Sequence, residues 1–302
     1  MRVLFIASSR IGDGVISSGI LEHLRLSYPQ AKFTVAVGAA GRDVFAHMPG
    51  LERLVVFEKK QRFALHWLKL WPQLIGHVWD LVVDVRGSAT AYVLLAKRRK
   101  VIQGGRKPGR RYEQLGEAMG LKPAPLPVVW TNAADEKRAG EVLPQGVKLI
   151  GLGPTSAIVD KVWPAERFVA AFKALAVGEL AGALPVVFAG PGEQEAAMAA
   201  PVLAALPGAI DLVGRLSLPE VAACMRHLAL FVGNDSGLMH LAGAAGTPTL
   251  GLFGPSHASQ YAPAGRWTAV AIAPGPLGET PMALLTVEAV VEAAKGLLTA
   301  QA

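Results

Sequence analysis

A single cysteine, few aromatic residues (7%) and no apolar run near the roughly 18 residues of a membrane-spanning helix are what this 302-residue chain has least of. Cys224 has no second cysteine to pair with and no neighbours at metal-ligand spacing, so a disulfide scaffold and a thiolate metal site are both excluded. It reads as a small core residue in the helical stretch 218–227. A charged-then-apolar signal segment is missing too, because Met1-Arg2 leads straight into a strand pattern, and a cytoplasmic protein is expected. Nor does any period of 20 to 50 residues point to a solenoid.

What is there is hydrophobicity in short pieces. Apolar residues make up 52% of the chain, in runs such as 3–6, 81–83 and 186–188, broken by glycine, proline or charge. Strand patterns at 2–7, 32–37, 54–57 and 81–85 alternate with an amphipathic segment at 14–26, the signature of βαβ units and parallel sheets. A proline-rich stretch at 123–144 marks the approach to a domain junction. The alternation restarts at 147–151, with helices at 165–176, 193–205 and 218–227, strands at 185–189 and 228–232, and a last helix at 286–299. Two α/β domains are expected, 1–140 and 141–285. Charge divides the same way: residues 1–140 hold 22 Lys+Arg against 11 Asp+Glu, residues 141–302 hold 8 against 12. Cations bunch at Lys59-Lys60-Gln61-Arg62, at 97–100 and at Arg106-Lys107-Pro108-Gly109-Arg110-Arg111, which suits an anionic partner. Nucleic acid is the weaker candidate, since few aromatics and no recognition motif accompany these clusters.

Three stretches carry chemistry. Gly233-Asn234-Asp235-Ser236-Gly237-Leu238-Met239-His240 follows an apolar strand and opens a helix running to about Ala245, with Gly246 as its stop. Asp235 and Ser236 suit its N-cap, and the free N–H groups near Gly237 suit a diphosphate. His240 lies four residues after Ser236, on the same face of the first turn. Second, Gly151-Leu152-Gly153-Pro154-Thr155-Ser156, with Asp160 and Lys161 before Trp163-Pro164, offers two hydroxyls and a compact positive charge to phosphate oxygens. Glu193 and Glu195 repeat the theme after the next strand, where either could accept ribose hydroxyls. Third, Ser8-Ser9-Arg10-Ile11-Gly12-Asp13-Gly14 is a βα turn without Gly-x-Gly-x-x-Gly spacing, so a dinucleotide fingerprint is not supported. Asp13 is open to two readings, a helix cap or a general base.

Taken together, the string 233–242, Gly246-Thr247-Pro248 and Phe253-Gly254-Pro255-Ser256 resemble the signature of glycosyltransferase family 9, the ADP-heptose:lipopolysaccharide heptosyltransferases. Further matches are 10–13, 28–31, 79–84, 160–164, 213–218 and 261–263, so the resemblance spans almost the whole chain. It implies a GT-B fold of two Rossmann-like domains facing across a cleft, with the C-terminal helix 286–302 rejoining the N-terminal domain. An inverting transfer without an essential metal or other cofactor is also implied, in agreement with the missing Asp-x-Asp. By the resemblance, Asp13 is the catalytic base and Lys161 contacts the leaving diphosphate. Thr155, Ser156, Glu193 or Glu195, Asp235, Ser236, Gly237 and His240 bind the donor, ADP-heptose. The basic residues Arg10, Lys59, Lys60, Arg62, Arg106 and Arg110 face the lipopolysaccharide core acceptor, with peripheral contact at the inner membrane. A nucleotide-sugar epimerase and a non-catalytic nucleotide-sugar-binding protein are the competing readings.

Overall fold

The computed structural model describes residues 1–57, 71–103 and 108–301. The chain divides into two compact units, Met1–Trp130 and Thr131–Ala302. The break lies within the proline-rich stretch, ten residues before the expected 140, because Thr131 already leads into a helix whose capping box (Asn132 with Asp135) belongs to the second unit.

The first unit is one parallel sheet of β1 (Arg2–Ile6), β2 (Lys32–Gly38), β3 (Leu51–Phe57), β4 (Trp79–Asp84) and β5 (Ala96–Val101), in the order β3-β2-β1-β4-β5. Its helices among the described residues include α1 (Ile11–Ser27), the single turn α2 (Thr90–Val93) and α3 (Arg111–Met119). Alternation along the strands puts Leu4 and Ile6 on one face with Ala36, Val55, Phe57, Val82 and Trp79 in a shared core. Phe5 points the other way, where its ring meets Phe45 at 6.4 Å and Phe45 meets Trp130 at 6.3 Å. Glycine lets α1 approach the chain that follows α3: a Cβ on Gly19 would stand 2.5 Å from the carbonyl oxygen of Leu126 and 2.6 Å from that of Pro125.

Next in the chain come α4 (Ala133–Val142), β6 (Leu149–Gly153), α5 (Ala165–Val177), β7 (Leu184–Val187), α6 (Glu193–Ala205), β8 (Ile210–Asp211) and α7 (Leu218–Met225). The second unit is completed by β9 (Leu230–Asn234), α8 (Gly237–Ala244), β10 (Thr249–Phe253), α9 (Ala258–Tyr261), β11 (Thr268–Ile272) and α10 (Val287–Thr299). Its sheet is parallel throughout, in the order β11-β10-β9-β6-β7-β8. The last helix departs from expectation. Val290, Ala294 and Leu297 of α10 lie in the core of the second unit beside Phe168, Phe172 and Ala271, so its apolar face is satisfied there and not by a return to the first domain.

Cys224 in α7 is fully buried, and burial pushes its thiol up to about 12, as a core role requires. Among the described residues no helix is long and apolar enough to cross a membrane.

Two glycines test the packing. Gly19→Ala drives a methyl group into backbone carbonyls and should cost about 1–3 kcal/mol in denaturant unfolding. Gly296→Ala in α10, where a Cβ meets nothing within 4 Å, should instead stabilise by up to about 1 kcal/mol.

Candidate functional site

In the second sheet, strands are added outward from β6 in one direction (β7, β8) and from β9 in the other (β10, β11), so the seam between β6 and β9 is the topological switch point. Crevices that hold ligands in such sheets open at the carboxyl ends of the two strands at that seam. Here those ends carry Thr155 and Ser156 after β6, and Asn234, Asp235 and Ser236 from β9 onward.

Three contacts stitch the seam together. Lys161, in a 3-10 turn at Val159–Lys161, places its Nζ 2.6 Å from Asp235 Oδ2. Both side chains are largely withdrawn from water, with Lys161 21% and Asp235 7% exposed. The backbone N–H of Trp163 donates to Asn234 Oδ1 at 3.0 Å, which fixes the turn that carries Lys161. Ser156 Oγ donates to the carbonyl of Asp235 at 3.4 Å, and Thr155 is buried beside it. His240, one turn into α8, brings Nε2 to 4.0 Å from the other oxygen of Asp235.

Ser236 is the N-cap of α8, but its hydroxyl makes no capping bond. Its Oγ is buried without a hydrogen-bond partner among the described residues, as are Asn234 Nδ2 and Ser256 Oγ, the last of these on the loop after β10. Unpartnered buried polar atoms are costly, about 1–3 kcal/mol each. Three of them sit within a few residues of the carboxyl ends of neighbouring strands, together with Lys161 and the start of α8 at Gly237, where backbone N–H groups and the helix dipole favour an anion. Asp235, expected to cap α8, instead holds Lys161. Glu195 closes the turn after β7 by accepting from the Gly190 N–H at 3.1 Å, which leaves Glu193, exposed at the first position of α6, as the carboxylate facing solvent.

The first unit has a switch point of its own, between β1 and β4. α1 starts at Ile11 with Arg10 as N-cap, so Asp13 lies in the first turn and is not the cap. Its carboxylate is half-buried and accepts from Ser8 Oγ at 3.2 Å, which orients one oxygen. Across the seam, Asp84 is fully buried at the end of β4. It accepts from the backbone N–H groups of Arg86 and Ser88 at 2.8 Å each and from Ser88 Oγ at 2.5 Å, so the loop after β4 is folded around one carboxylate. Arg110 caps α3 with its guanidinium 5.1 Å from the Tyr112 ring. Lys59, Lys60, Arg62 and Arg106 lie outside the described residues.

Sequence reading found Asp13, Ser156, Lys161, Asp235, Ser236 and His240 as separate motifs. It missed Ser8, Asn234 as the anchor of Trp163, and the Asp84–Arg86 loop. Only the last had a local signal, an acid ending a strand two residues before Arg-Gly.

A two-domain α/β protein with polar groups gathered at the switch point of each parallel sheet is the GT-B class, and the solved structures it resembles agree. It is similar to a glycosyltransferase of family 9 from Veillonella parvula at a TM-score of 0.82, with 22% identity and 99% and 97% of the two chains covered. ADP-heptose lps heptosyltransferase II of E. coli follows at a TM-score of 0.75, with 21% identity and coverage of 100% and 99%. Among curated relatives, lipopolysaccharide heptosyltransferase 3 of Escherichia coli is 24% identical over 279 residues, 80% of each chain. Residues 84–274 match the model of glycosyltransferase family 9 (heptosyltransferase), and the chain belongs to that family. It is a glycosyltransferase.

The ion pair is testable by itself. Lys161→Met leaves the Asp235 carboxylate without its cation and should lower unfolding stability by about 1–3 kcal/mol, and adding Asp235→Asn should restore part of the loss. Losses that simply add in the double variant would show the two groups to be uncoupled.

Proposed function

We propose that the protein transfers a heptose from ADP-heptose to a lipopolysaccharide inner-core acceptor in a single inverting displacement that requires no divalent cation. One observation carries the reading: Lys161, the amino end of α8 and the unpartnered hydroxyl of Ser236 converge on the β6/β9 switch point. A lysine, aligned N–H groups and a hydroxyl are the groups that stabilise charge on a departing nucleoside diphosphate, which is where charge grows in the transition state. They supply the role a divalent cation would otherwise fill.

In the proposed reaction Asp13 takes the proton of the acceptor hydroxyl as its oxygen attacks the anomeric carbon from the face opposite the diphosphate. The carbon–oxygen bond to ADP breaks as the new glycosidic bond forms, so the configuration inverts. Ser8 holds the Asp13 carboxylate by its 3.2 Å hydrogen bond. On the donor side, Lys161 passes from Asp235 toward the diphosphate, freeing an Asp235 oxygen for the hydroxyls of the donor sugar. His240, beside the other oxygen, keeps that carboxylate in place. Thr155, Ser156 and Gly237 line the phosphates, and Glu193 is the ribose carboxylate, since Glu195 already closes its own turn. The relatives named above bear on donor and acceptor: one is described as an ADP-heptose heptosyltransferase, another as a lipopolysaccharide heptosyltransferase. The cations Arg10 and Arg110, with Lys59, Lys60, Arg62 and Arg106, attract the anionic core, and through it the protein reaches the inner membrane surface from the cytoplasm.

Radiolabelled transfer and thermal shift together test this. ADP should raise the Tm of the wild-type protein, and EDTA should leave transfer unchanged. Asp13→Asn should keep the ADP shift yet lose transfer by roughly 100-fold or more, whereas Lys161→Met should lose the ADP shift. Full transfer by Asp13→Asn would remove Asp13 from the base role.

A further inference from the structure

Tyr92, Val93 and Leu95, three large side chains within one short stretch of the first unit, are 61, 59 and 68% exposed. The stretch is nevertheless held in place. Ala91 and Leu94 are buried in the core beside Val82, and Arg99 grips the backbone between them: its Nε donates to the Ala91 carbonyl at 2.5 Å and its Nη2 to the Leu94 carbonyl at 2.7 Å. The Trp79 N–H donates to the Leu95 carbonyl at 2.9 Å, next to the exposed Val78. Single exposed apolar residues are ordinary, but a fixed group of them marks an interaction surface.

The strand that follows supplies charge. β5 ends the order β3-β2-β1-β4-β5 and is a sheet edge among the described residues, with Lys97, Arg98 and Lys100 exposed along it. Asp80, the carboxylate beside Lys97, is engaged by that lysine at 2.7 Å and by the Arg2 N–H at 2.7 Å. From Val85 to Tyr112 the sequence holds nine Lys and Arg and no Asp or Glu. An edge strand charged in this way resists pairing with a further strand, which argues against a second copy as the occupant. A tyrosine and aliphatic groups bordered by unopposed cations match the boundary of an acidic bilayer, where the apolar groups enter between headgroups and the cations face phosphates. We propose that α2, Leu95 and the edge of β5 form a docking surface for an acidic phospholipid membrane. The transferase reading brings the protein to the membrane through its acceptor; this surface goes beyond it and meets the bilayer with neither donor nor acceptor present.

The test uses the intact protein with vesicles of phosphatidylcholine alone and of equal parts phosphatidylcholine and phosphatidylglycerol. The wild type should sediment with the acidic vesicles and not with the neutral ones, and should release them as salt rises. Tyr92→Ser with Leu95→Ser, and separately Arg98→Gln with Lys100→Gln, should each weaken binding roughly 10-fold or more at an unchanged unfolding midpoint. Lys148→Gln with Val177→Ser, an exposed pair in the second unit, should bind like the wild type. A polarity-sensitive dye reads the location directly. On Leu95→Cys it reacts with the new thiol, since Cys224 is buried, and its emission should move to the blue on acidic vesicles, whereas the same dye on Val177→Cys should not respond. Equal binding to both vesicles, a silent dye at position 95, or surface variants that bind like the wild type overturn the proposal. So does self-association without lipid that Tyr92→Ser with Leu95→Ser abolishes, which would give the surface to a second copy. Transfer to an acceptor in solution is not touched by any of these outcomes, so the two readings fail separately.

Discussion

The contact on which the crevice of the second sheet depends is the ion pair between Lys161 and Asp235 across the β6/β9 seam. Neither group is positioned by its own element alone. Lys161 sits on a three-residue turn with no core residues of its own, and Asp235 lies between the end of a strand and the start of a helix. Each is held because the other is there, and because Asn234 and Ser156 add one hydrogen bond apiece across the same seam. A lysine and a carboxylate withdrawn from water contribute little net stability together, since desolvation offsets most of their attraction. Their value lies in geometry: the Lys161 amine is kept at the switch point of the sheet.

The architecture was largely legible in the sequence. Short apolar runs ending in glycine or a polar residue mark buried parallel strands; 3–6, 81–83 and 186–188 fall in or at the end of such strands, and 228–232 overlaps β9 from Leu230 onward. What local pattern does not reveal is which surface an amphipathic helix meets. The stripe of Val290, Ala294 and Leu297 identifies α10 as a helix, but its partners Phe168 and Phe172 stand more than a hundred residues earlier. The start of α1 was misplaced for a related reason. Gly12 and Gly14 suggest a turn, yet the Gly14 N–H already bonds the Arg10 carbonyl, and this puts Asp13 inside the helix.

The site was legible as motifs and not as a network. Asp235 before Ser236 and Gly237 looks like a cap because capping acts over two or three residues. The lysine that claims it lies 74 residues away in sequence, and only the sheet order brings the two together. Asn234 gave no signal at all, since a buried amide at a strand end acquires meaning only from the Trp163 N–H opposite it. The Asp84 loop is an intermediate case. An acid two residues before Arg-Gly is visible in the sequence, but its burial, which turns a surface carboxylate into the hub of a rigid turn, is not.

Trp163 has a second attachment. Its indole Nε1 donates to the Leu285 carbonyl at 2.9 Å, and Arg167 donates to the carbonyls of Ala283 and Leu285 at 2.6 and 2.5 Å. The stretch leading into α10 thus grips the beginning of α5 and, through Trp163, the backbone two residues from Lys161. Shortening the protein from its carboxyl terminus, or fusing a bulky partner close to α10, would therefore slacken the support beneath Lys161 from behind, although neither change comes near the crevice.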